Sequence, residues 1–236
     1  MLRRLTILLL VLLVAAPAGF ARRKKPKAGE VDGQVYVDAR FGIQLTLPEG
    51  WKYKLGDEEG HFRLFLTQKK YEVPPDYQDA EDYTKVPRIV VWVDTTTVGA
   101  TAFLDSLVSE SYSSDQKREL FKEFELINEA SAGSGTYREP LIPRGRKLIS
   151  VGDYKGIRWA ARCPYMKEVA LSASDTGGGK RVRGAYEGTI AALKHGDVIV
   201  VFHMICESQY YEGIDAFMDE LVNSIKFSSA EKESEG

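Results

Sequence analysis

Two cysteines and three histidines are all that this 236-residue chain offers for stapling, metal ligation or acid–base chemistry near neutral pH. That scarcity excludes a disulfide-dense scaffold and a multi-cysteine metal site. A nucleophile–base pair would have to draw on His61, His195 or His203. His195 falls in the turn Lys194-His195-Gly196-Asp197, where a solvated ring is expected, and His203 and Cys206 stand three apart on a strand, hence on opposite faces, and cannot share a metal. Charge of one sign is also missing: 32 basic against 34 acidic residues give a net charge of −2, which excludes nucleic-acid binding by the molecule as a whole. The phosphate-loop pattern is absent too. Gly177-Gly178-Gly179-Lys180-Arg181 has Ser174 where the first glycine is needed and Arg181 where a hydroxyl is needed. Ser134, in Ala132-Gly133-Ser134-Gly135, lacks the first glycine of a nucleophile elbow and a strand before it. No catalytic residue, metal ligand or cofactor is therefore assigned.

What is present begins at the N-terminus. Met1-Leu2-Arg3-Arg4 precedes an apolar run from Leu5 to Ala16, and Pro17-Ala18-Gly19-Phe20-Ala21 places small residues at the −3 and −1 positions of a cleavage site after Ala21. The pattern predicts a secretory signal over residues 1–21 and an exported, periplasmic or extracellular protein. Export disfavours ATP-driven and nicotinamide-linked chemistry and permits a disulfide. The competing reading is a retained anchor, because Arg22-Arg23-Lys24-Lys25 follows the apolar stretch directly. With no cysteine near the cleavage region, membrane contact of the cleaved form would be electrostatic, through Arg22, Arg23, Lys24 and Lys25 on anionic headgroups.

Residues 22–33 are basic and lack apolar periodicity, and are expected to form a flexible arm. Residues 34–227 have the size of one domain, and residues 228–236 read as a disordered charged tail. Charge is segmented along the chain: residues 130–206 carry twelve basic and six acidic groups, whereas residues 207–236 carry two and eight. Such blocks would orient a docking partner if folding keeps them on separate faces.

Alternation at Phe41, Ile43, Leu45 and Leu47 predicts a first strand ended by Pro48-Glu49-Gly50. Residues 61–68 and 88–95 predict two more, the latter apolar on both faces. Thr101 is expected to cap a helix carrying Phe103, Leu104, Leu107 and Val108, and Ser114 another carrying Leu120, Phe121, Phe124 and Ile127. Residues 130–146 read as an excursion rejoining the fold at residues 147–151, followed by strands over 157–163, 186–193 and 198–206. The last two form a hairpin whose second strand is apolar enough to be central. Ser208 is expected to cap a final helix with an apolar stripe at Ile214, Phe217, Met218, Leu221, Val222 and Ile225.

The first strand running into Pro48-Glu49-Gly50-Trp51, and the closing hairpin, helix and Ser224-Ile225-Lys226-Phe227, resemble PsbP-like domains across roughly residues 36–227. The resemblance implies an α+β fold: an antiparallel, meander-rich sheet of about six to seven strands covered by helices on both faces, an α/β/α sandwich. It also implies a binding role without shared catalytic residues. The basic arm and the excursions at 71–87 and 130–146 depart from the family pattern.

Candidate docking surfaces are a basic patch of Arg158, Arg162, Lys180, Arg181 and Arg183 and an acidic loop bearing Tyr71, Tyr77 and Tyr83. Cys163 and Cys206 end strands on one edge of the meander. A disulfide between them would have to bridge two strand spacings of about 4.8 Å each unless the intervening strand has ended, so a bond and two buried thiols both stay open. These features predict a non-catalytic binding or assembly protein of the cell envelope with a protein partner. The rivals are a carrier of an apolar ligand or lipid between sheet and helices, and an exported hydrolase.

Overall fold

The computed structural model describes residues 26–68, 87–108, 136–138, 142–169 and 180–228. The chain opens with three short strands, β1 (Glu30–Asp32), β2 (Val35–Asp38) and β3 (Ile43–Thr46). Trp51–Leu55 (β4), Phe62–Gln68 (β5) and Arg88–Thr95 (β6) follow, then helix α1 (Ala100–Val108). Next come β7 (Thr136–Arg138), β8 (Ile142–Val151), β9 (Tyr154–Val169), β10 (Lys180–His195) and β11 (Val198–Glu207). A 3₁₀ turn at Ser208–Tyr210 leads into helix α2 (Tyr211–Asn223), and β12 (Lys226–Phe227) closes the fold.

Two antiparallel sheets result. The larger runs β4-β5-β6-β11-β10-β9-β7, with β8 also paired to β9; the smaller runs β1-β2-β3-β12. The continuous apolar pattern of residues 198–206 does put β11 in the interior, where all of its residues after Val198 are buried. Gly196 turns the β10–β11 hairpin at φ 55°, a conformation that side chains bearing a Cβ resist, so His195 pairs directly with Val198.

Alternation on the central strands sends side chains to two faces. On the first, Val91, Val200, Phe202 and Met204 meet Ile214, Met218 and Leu221 of α2 and Tyr36, Ile43 and Leu45 of the small sheet. On the second, Trp92, Ile199 and Val201 meet Ala100, Phe103 and Leu104 of α1. The architecture is thus α+β, an antiparallel sheet with a helix on each face, and sheet residues far outnumber helical ones among those described.

The two sheets are joined by a buried ion pair. Arg63 of β5 donates from Nε to Asp38 Oδ2 of β2 at 2.6 Å, and both side chains are 1% exposed. Arg63 Nη1 also donates to the carbonyls of Glu58 (2.7 Å) and Gly60 (2.6 Å), and the Tyr36 hydroxyl lies 3.0 Å from Asp38 Oδ2. Burial and the Asp38 charge push the Tyr36 phenol up, so it remains a donor.

Several expectations need correction. The ordered fold starts before residue 34: Glu30–Asp32 form β1, Ala28 is fully buried and Lys27 bridges to Asp57, because the small sheet recruits polar backbone that carries no apolar periodicity. At the other end Ser228 is tied down, donating from its backbone N–H to the Gly42 carbonyl at 2.8 Å. The excursion over 130–146 is not wholly irregular, since β8 begins at Ile142. Thr101 lies inside α1, and Ser208 does not cap α2: its hydroxyl donates to Glu187 and the N-cap is Tyr210, without a side-chain bond. Cys206 is a free, buried thiol. Of the two alternatives left open for Cys163 and Cys206, a bond or two thiols, the free Cys206 thiol accords with the second; in register, Cys163 pairs with Tyr186 and Cys206 with Glu187, on the strand between them. The signal over 1–21, the basic residues Arg22, Arg23, Lys24 and Lys25, the helix expected after Ser114, and Tyr71, Tyr77 and Tyr83 lie outside the described residues.

Candidate functional site

A cleft of about 370 Å³ opens where the β8–β9 edge meets the start of α2, lined by Arg144, Arg146, Lys147, Arg158, Tyr211 and Asp215 among others. A register shift between Pro143 and Gly145 leaves Arg144 as the extra residue of a β-bulge, which re-aims its side chain. Arg144 Nη2 donates to Glu187 Oε1 at 2.6 Å, and its guanidinium lies 5.9 Å from the Tyr211 ring centroid. Glu187 on β10 is 1% exposed. Its Oε1 also accepts from Ser208 Oγ at 2.9 Å and faces Arg162 Nε at 3.6 Å.

Beneath this group, Arg158 donates through Nη2 to Asp215 and through Nη1 to Asp219, carboxylates one turn apart on α2. Thr189 Oγ1 lies 3.1 Å from the Tyr211 hydroxyl, tying β10 to the helix. Burial pushes Asp215 above the usual carboxylate range while the Arg158 guanidinium pulls against it. Tyr211 is raised by burial and by the charges of Asp215 and Glu187, with the Thr189 hydrogen bond opposing. The Cys206 thiol is pushed far up by burial, then by Glu187, Asp215 and Glu207, so it stays protonated and inert.

The five residues of the expected basic patch are thus divided. Arg158 is buried and held by α2, and Arg162 sits at the Glu187 carboxylate. Lys180, Arg181 and Arg183 pair in register with Val169, Glu168 and Met166. Arg144, Arg146, Lys147, Glu187 and the α2 carboxylates went unnoticed in the sequence. The closeness of Arg144, Arg146 and Lys147 was the available signal, split between the excursion over 130–146 and the strand expected from residue 147.

The histidines are engaged elsewhere. His61 Nδ1 lies 3.2 Å from the Val93 carbonyl, and the His195 ring sits 5.1 Å from both Tyr154 and Phe227. His203 is buried, its pKa lowered well below 6.5 by desolvation and then by the Arg88 charge. Among the described residues no three His, Cys, Asp or Glu side chains converge to hold a metal, and no helix is long and apolar enough to cross a membrane.

Neither a protein-family model nor a curated protein sequence matches the chain. Among solved structures it is similar to cyanobacterial PsbP (CyanoP) from Synechocystis sp. PCC 6803, at 10% identity over 85% of this chain and 98% of that one, with a TM-score of 0.42. It is also similar to the Ran-binding protein Mog1p of Saccharomyces cerevisiae, at 9% identity over 79% and 90% of the two chains and a TM-score of 0.37. A third is LpqN, involved in cell envelope biogenesis of Mycobacterium tuberculosis, at 8% identity over 79% and 83% and a TM-score of 0.37. These three share the PsbP-like fold. Likeness of this degree carries no activity or partner across.

Proposed function

We propose that this chain is an exported, non-catalytic binding or assembly protein of the cell envelope that docks a protein partner on the basic cleft. The observation that carries this reading is the cleft itself: on an exposed strand it is lined by Arg144, whose guanidinium lies 5.9 Å from the Tyr211 ring, with Arg146 and Lys147 along the same strand, and guanidinium and aromatic groups are what protein interfaces enrich. A further basic surface on β9 and β10, with Arg162, Arg181 and Arg183, is part of the same proposal. Engagement of all three histidines in packing or backbone contacts, and the inert Cys206, favour binding over hydrolysis.

The carrier reading needs an apolar pocket between sheet and helix, where Phe202, Met204, Met218 and Leu221 are packed together. Export rests on the N-terminal pattern and is tested by sequencing the mature N-terminus: a start at residue 22 supports it and a start at Met1 favours the anchor. Cross-linking in the native envelope should capture a protein whose recovery drops with added salt and with charge reversal at Arg146 and Lys147. Recovery unchanged by both treatments would remove the cleft as the docking surface. Charge reversal at Arg181 and Arg183 tests the further basic surface separately.

A further inference from the structure

Strand β8 is 10 residues long, and every position from Ile142 to Leu148 is exposed. It pairs with β9 along one edge, and among the described residues no strand pairs with the other. Unpaired by any described strand, an edge of this length presents backbone N–H and C=O groups that an extended polypeptide satisfies. Natural edges are commonly guarded by charge, and Arg146 and Lys147 do guard this one against a second copy, because β8 laid against β8 would juxtapose like charges. Guarding alone does not account for Leu148, the next residue, which is an apolar side chain 77% exposed.

The row is specific in what it accepts. Beyond the bulge, Gly145 and Lys147 share one face, while Arg146 and Leu148 share the other. Arg146 is met by Asp105 of α1 at 2.8 Å, a solvent-exposed pair that a partner carboxylate can replace. Lys147 has no ion pair among the described residues. An added strand would therefore oppose Leu148 with an apolar residue and Lys147 and Arg146 with two successive acidic ones.

We propose that β8 takes an extended acidic segment of the protein partner as an added edge strand, with an apolar–acidic–acidic core. This deepens the docking reading above and rests on it. The test uses the full chain and a fluorescein-labelled peptide, Thr-Val-Glu-Glu-Val-Thr, titrated by anisotropy. Two further peptides accompany it, one N-methylated at alternate backbone nitrogens and one with Lys in place of both Glu.

Binding of the parent peptide, weakened about tenfold or more by N-methylation, by the Lys peptide and by Lys147→Glu, supports strand addition. An N-methylated peptide that binds as well as the parent overturns strand addition and leaves charge-based docking standing. No binding of the parent peptide at millimolar concentration overturns it as well. So does a response confined to phosphatidylserine vesicles, or Lys147-dependent dimerisation without peptide binding. N-methylation changes the ligand alone, so that arm is independent of any effect of the substitution on folding.

Discussion

Among the described residues two arginines are buried, and they live differently. Arg63 and its partner Asp38 are each 1% exposed, Nη1 of Arg63 ends on backbone carbonyls, and the guanidinium lies 5.1 Å from the centre of the Phe41 ring. Arg158 is 7% exposed, but its partners reach outward, Asp215 at 22% and Asp219 at 52%. The first ion pair is sealed and joins two sheets. The second forms the floor of a cleft whose rim, Arg144 to Lys147, is solvated. Burial of a guanidinium therefore does not mark function by itself; what separates the two is whether its partners also touch water.

Removing the sealed arginine should have the largest effect. Arg63→Met strands a buried Asp38 carboxylate and should cost about 3–5 kcal/mol in urea unfolding, with most of the loss recovered by adding Asp38→Leu. Arg158→Met should cost less, about 1–2 kcal/mol, because Asp215 and Asp219 can turn to solvent. Raising NaCl from about 0.05 to 0.5 M should narrow the gap between Arg158→Met and wild type while leaving the Arg63→Met gap unchanged. Equal costs for the two substitutions would erase the distinction.

His203 supplies a third buried group on the opposite sheet face from α2. Its folded pKa lies below the usual 6.5, so the unfolded chain binds the extra proton and stability falls as pH drops below 6.5, until the folded pKa is passed. The slope should reach about 1.4 kcal/mol per pH unit and vanish over that window in His203→Leu, read by denaturant midpoints between pH 6.5 and 5. Lys147→Glu, on the rim, should change stability by less than about 0.5 kcal/mol in a thermal melt. A larger change would mean that the rim is part of the frame.

Periodicity made the frame legible. β6 covers the predicted residues 88–95, β5 differs by one residue at its start, and the hairpin with Gly196-Asp197 at its turn has β11 in the interior. Long apolar runs and alternation survive tertiary context because one register buries them. The small sheet was half hidden, since β1 carries Glu30 and Asp32 and β12 is only two residues long. At and beside the cleft, Arg158 and Arg162 were visible as charges on a strand, but their partners were not. Asp215 and Asp219 lie opposite the apolar stripe of the last helix, where acidic side chains are ordinarily solvated, and nothing in the local sequence sets Glu187 apart. Local sequence does not say that this helix face turns toward β9, nor that a bulge at Arg144 swings a guanidinium onto Glu187.

The small sheet has a consequence for how the chain can be cut and rejoined. Its order, β1-β2-β3-β12, makes the first and last strands of the described fold the two edges of one sheet, three strand spacings or about 14 Å apart. A linker of modest length would span that gap, and the turn at Gly152–Asp153 between β8 and β9 offers exposed backbone for new termini. A circular permutant opened there should fold. It would also detach β8 from its covalent neighbour and leave only the ladder to hold it, so the permutant would measure how much of the edge strand's order belongs to pairing and how much to the turn.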